Sequence, residues 1–83
     1  MPSTETIDLA NHARALYEKS LRSRLEQSNH GDFVAVEPES GDYFLGRAIS
    51  EAAQAARVAH PDRRSFIIRI GYKVAVEFGA VIA

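Results

Sequence analysis

The sequence predicts a small α+β fold: a single α-β-β-α-β layer with room for a final β, two helices lying on one face of a mainly antiparallel sheet. Three observations predict it. The chain opens with apolar residues recurring at helical spacing. Two short strand-forming runs then flank Pro38-Glu39-Ser40-Gly41, a hairpin signal. An alanine-rich helical stretch leads to Ser65-Phe66-Ile67-Ile68-Arg69-Ile70, the clearest strand in the chain. With 83 residues, there is room for one thin core and one domain, an amphipathic helix over 1–28 and a core over 32–83.

The first helix is expected from about Thr6 to Ser28. Ala10, Ala13, Tyr17, Leu21 and Leu25 form its apolar stripe, while Arg14, Glu18, Arg22 and Glu26 line the other side. Ser3, Thr4 and Thr6 are candidate caps, and Gly31 after Asn29-His30 is the stop. Phe33–Glu37 reads as a strand with Val34 and Val36 on one side and Phe33, Ala35 and Glu37 on the other. Asp42–Gly46 is its hairpin partner.

The second helix is expected over about Ala48–His60. Six alanines give it high helix propensity and little bulk, so it can lie close on a sheet. Glu51 stands where a capping-box acid belongs, but Ala48, three residues earlier, offers no capping oxygen. Pro61 ends the helix. In the strand that follows, Phe66, Ile68 and Ile70 face one way and Ile67 and Arg69 the other. Gly71 marks a bend, and Lys73–Phe78 is a candidate further strand. The third strand belongs beside the first or the second, and the pattern does not choose between them.

Composition narrows the function classes. The chain is 46% hydrophobic and 25% charged, which argues for a folded globular domain. It has no cysteine, hence no disulfide and no thiolate chemistry. No basic-then-apolar leader opens it and no apolar run is long enough to span a bilayer, so cytoplasm is the expected location. Residues 1–46 carry four basic residues against eight acids, a balance of −4, and residues 47–83 carry six against three, +3. Arg57, Arg63, Arg64, Arg69 and Lys73 make the basic half a candidate patch for nucleic acid. A solvated mixture of charges accounts for the same asymmetry.

Chemistry is sparse. Gly41 and Gly46 flank a strand and not a strand-to-helix turn, so no phosphate loop is expected. His30 and His60 sit at helix C-termini, where the dipole favours a cation, and His12 stands apart, so no metal site is expected. Asp32, Glu37, Glu39 and Asp42 lack calcium-loop spacing and read as a solvated turn. No serine stands near a histidine on a constrained turn in the sequence, so neither catalysis nor a cofactor is expected. Phe33, Tyr43, Phe44, Phe66 and Phe78 lie at core-forming spacing, and Tyr17 and Tyr72 should bury their rings with hydroxyls near water. The apolar end of the chain makes Val74, Val76, Phe78, Val81 and Ile82 a candidate interaction surface. It closes the chain's own sheet edge or adds to a neighbour's.

The pattern Phe33-Val34-Ala35-Val36, Gly41-Asp42-Tyr43-Phe44-Leu45-Gly46, Glu51-Ala52, Pro61-Asp62 and Phe66-Ile67-Ile68-Arg69-Ile70-Gly71-Tyr72 resembles a group of short bacterial proteins of unassigned function. The resemblance covers residues from about 14 to 79, and its motifs are structural. Lys73 stands where that group commonly has proline. The hairpin, Gly46 and Glu51-Ala52 are more weakly similar to HicB-type antitoxins, which set a small β-β-β-α-β layer against a toxin. This chain begins with a long helix instead of a strand. The expected function is a non-enzymatic interaction module, antitoxin-like or regulatory for a co-encoded protein, forming a homodimer or binding that companion. The alternative is nucleic-acid binding through the basic patch.

Overall fold

The computed structural model describes residues 4–72 and 80–82. The element order is α1 (Thr4–Leu16), a π-helical turn (Tyr17–Leu21), α2 (Arg22–Ser28), β1 (Phe33–Val36), β2 (Tyr43–Gly46), α3 (Ile49–Ala59), β3 (Ser65–Arg69) and β4 (Ala80–Ile82). The α+β class is as the sequence predicts. Among the described residues, four strands form one antiparallel sheet in the order β2-β1-β3-β4.

The first three helical elements run on without a break, and the π turn between them follows from the spacing of the stripe. Ala13, Tyr17, Leu21 and Leu25 are all buried at successive four-residue steps. Three such steps in a pure α-helix would rotate the last residue about 120° past the first. The π turn holds about one extra residue, which cancels most of that drift and keeps Leu25 on the core side. Simple periodicity shows the helix but not this insertion.

The third strand lies beside the first. β1 and β3 are apolar on both sides and take the middle of the sheet, with Val34 opposite Ile68 and Val36 opposite Phe66. β2 and β3 each pair antiparallel with β1, so they run parallel to one another with β1 between them. Two parallel strands need a crossover, and α3 supplies it.

That crossover corrects the expectation of both helices on one face. Ala10, Ala13, Tyr17, Leu21 and Leu25 pack on Val34, Val36, Phe66, Ile68 and Ile70. Ala52, Ala53 and Ala56 pack on the other face, against Ala35, Ile67, Phe33 and Phe44. Central strands that are apolar on both sides need cover on both sides, and each helix takes one. The alanine stripe of α3 permits the close approach: a Cβ added at Gly46 would lie 2.5 Å from the Ala52 backbone nitrogen.

Tyr17 also departs from expectation. It is 1% exposed, and its hydroxyl is buried without a complete hydrogen bond among the described residues. Burial pushes its phenol up, and the nearby Gly71 backbone opposes this only in part. Tyr72 departs as well: half of it is exposed, so its ring is not buried as expected. β4 pairs with β3, Val81 opposite Phe66 and Ile82 opposite Ser65, so this part of the tail joins the chain's own sheet. The expected strand Lys73–Phe78 lies outside the described residues.

Candidate functional site

The β1–β2 hairpin holds the densest polar cluster. Gly41 has a φ of 80°. Its N–H donates to the Glu37 carbonyl, and the Glu37 N–H donates to the Asp42 carbonyl, each at 2.9 Å. This is the two-against-one pattern of a glycine bulge. Glu37 is 0% exposed, so the acidic run is not simply the solvated turn expected of it. The Glu37 Oε2 accepts from the Ser40 N–H and the Ser40 hydroxyl, both at 2.5 Å. Among the described residues its Oε1 has no hydrogen bond, but it faces Arg63 Nη1 at 3.8 Å. Burial pushes the Glu37 carboxyl up. The two Ser40 hydrogen bonds, with Arg63 and His60 nearby, outweigh burial and hold it below its usual value. Alternation places Glu37 at the end of β1, and nothing in the sequence distinguishes this acid from Glu39, which is exposed.

The tertiary fold brings His60, at the end of α3, to this turn. His60 Nε2 lies 2.7 Å from Asp42 Oδ2 and 3.5 Å from Ser40 Oγ. A serine therefore does stand beside a histidine, contrary to the sequence reading, because the crossover returns the chain to the hairpin. The geometry differs from a nucleophilic triad. There, the carboxylate orients one ring nitrogen so that the other meets the hydroxyl. Here one nitrogen meets both groups, and the Ser40 hydroxyl already donates to Glu37. The arrangement braces the turn against the end of α3. Among the described residues no group of three or more histidines and acids is placed to hold a metal ion.

The residues of the candidate basic patch go to separate tasks. Arg63 reaches Glu37 and, through Nε at 3.4 Å, Glu39. The Arg69 guanidinium lies 4.1 Å from the Tyr72 ring centre and 5.7 Å from that of Phe33. Arg57 is exposed in the last turn of α3, Arg64 is half-buried, and Lys73 lies outside the described residues. Of the candidate interaction surface, Val81 and Ile82 are on β4, and Val74, Val76 and Phe78 lie outside the described residues.

The surface that sequence reasoning missed is the outer side of β2. Tyr43 and Leu45 are 36% and 40% exposed, beside β1 residues that are fully buried. They share a face with Val34 and Val36, but the long helix covers β1 and β3 and leaves them open. Alternation in β2 carries the signal, but only strand order makes it an edge. α3 lies over the opposite face, chiefly above β2 and β1, with a wide-open depression along Ser50, Glu51, Gln54 and Ala55.

Compared with family models, curated proteins and solved structures, the chain matches none. No helix among the described residues is long and apolar enough to cross a membrane.

Proposed function

We propose that this chain is a non-enzymatic protein-interaction module of the bacterial cytoplasm, docking a companion along the open edge of β2. The observation that carries the reading is the exposure of Tyr43 and Leu45 on a strand that, among the described residues, has one neighbour. A bare strand edge offers unpaired N–H and C=O groups, and the two side chains beside them give a partner apolar surface. The Ser40–Glu37–His60 bracing supports the same reading, because a rigid hairpin presents its edge with little ordering cost on binding. The companion is either a second copy of this chain or a co-encoded protein toward which the module is antitoxin-like or regulatory.

The test is site-specific photocrosslinking in cells. A benzophenone side chain placed at Tyr43 or Leu45 should give protein adducts, and one at Val58, exposed on α3, should give none. Absence of adducts from both β2 positions would refute docking along this edge.

A further inference from the structure

We propose that the occupant of the β2 edge is a second copy of this chain, paired antiparallel about Phe44. This rests on the docking reading above and names its partner.

Hydrogen-bond parity sets the register. The Asp42 carbonyl points inward, since it accepts from the Glu37 N–H. In an antiparallel ladder the inward and outward groups alternate. Phe44 and Gly46 therefore bond to β1, and Tyr43 and Leu45 turn their N–H and C=O to the free edge. A two-fold axis that continues the sheet must run perpendicular to it and pair residues lying on the same face. With Phe44 opposite Phe44, Tyr43 meets the second copy's Leu45, and Leu45 meets its Tyr43. Both are outward pairs, so each exchanges its backbone bonds, about four in all. The competing register, Leu45 opposite Leu45, would also require Arg47 to bond across the edge. The Arg47 N–H is instead aimed back at Glu51 Oε1, 3.5 Å away, where the chain bends into α3.

The side chains agree with the backbone. In the Phe44 register Tyr43 and Leu45 of both copies form one apolar cluster on the face the long helix leaves open. An aromatic residue opposite an aliphatic one is a favourable cross-strand pair. Charge sets the direction. Glu39 and Asp42 precede β2, and Arg47 follows it. Antiparallel pairing brings each acidic end to the other copy's Arg47, whereas parallel pairing would set like beside like. Among the described residues the Arg47 side chain has no ion-pair partner of its own. Within Tyr43–Gly46 there is no charge and no proline, the usual blocks against edge pairing. The strand is short, so association should be weak and concentration-dependent.

The experiment is sedimentation equilibrium of the full chain from micromolar to millimolar concentration, with amide hydrogen exchange followed by NMR on the same samples. The mass should rise from 9.1 kDa toward twice that value. The Tyr43 and Leu45 amides should slow as it rises, while Phe44 and Gly46, bonded to β1, stay slow throughout. Leu45→Lys, at an exposed position, should keep the circular dichroism spectrum and abolish the doubling. A mass fixed at 9.1 kDa overturns the second copy. Crosslinks from Tyr43 or Leu45 to a different protein would then leave the docking reading standing. A dimer in which both amides exchange fast at every concentration overturns this edge as its interface.

Discussion

Replacing Glu37 by glutamine removes one charge from beneath the hairpin and keeps the shape of the side chain. In the folded chain its Oε2 takes two hydrogen bonds from Ser40 at 2.5 Å. Hydrogen bonds to a charged group contribute about 1.5–3 kcal/mol each, against about 0.5–1.5 for neutral pairs. Losing the charge therefore weakens two bonds by roughly 1 kcal/mol apiece. The Arg63 ion pair adds little, because Arg63 is 44% exposed and its nitrogen is 3.8 Å away. Relief of the buried charge offsets part of the loss. The expected net destabilisation is about 1–2 kcal/mol at neutral pH, from a total of roughly 4–12 kcal/mol for a chain this size.

The pH dependence has a definite sign. The folded carboxyl titrates below its unfolded value, despite burial, because Ser40, Arg63 and His60 favour the charged form. Its contribution is therefore complete above the unfolded value, near about 4.3. It fades as pH falls through the folded value. Urea unfolding followed by circular dichroism, at pH 7 and through the acid range, reads both effects. Glu37→Gln should lie below wild type at neutral pH and converge with it in acid. Equal stability at pH 7, or a gap that acid leaves unchanged, would refute the reasoning.

Two further perturbations probe the packing. Gly46→Ala should cost about 1–3 kcal/mol, because the new Cβ would meet the Ala52 nitrogen at 2.5 Å and the Glu51 Cβ at 2.7 Å; an unchanged thermal midpoint would remove the close approach of α3. Deleting Lys19 takes one residue from the π turn and restores nearly whole α turns between Ala13 and Leu25. Stability should then hold within about 1 kcal/mol, with one uninterrupted helix by NMR; a loss of core packing would show that the extra residue does not serve to align the stripe.

Much of the architecture was legible because it depends on neighbours in sequence. The periods of Ala10–Leu25 and Phe66–Ile70, the left-handed Gly31 and Gly41, and the alanine stripe ending at Pro61 identify the elements and most of their ends. Even the uncapped start of α3 was visible in Ala48, which makes no side-chain cap bond. The candidate site was much less legible. Glu37 and Glu39 look alike in sequence, yet one is fully buried and the other exposed. The Ser40–His60 approach joins residues twenty positions apart, and local pattern does not specify such a meeting.

The sequence by itself determined the α+β class, the hairpin and the apolar faces, since periodicity and turn chemistry act over a few residues. Only the tertiary structure decided strand order, and strand order decided the rest. With β3 returning beside β1, the helices separate to opposite faces and β2 is left at the rim. Tyr43 and Leu45 are open because the long helix covers the two strands with apolar residues on both sides, where burial removes the most surface from water.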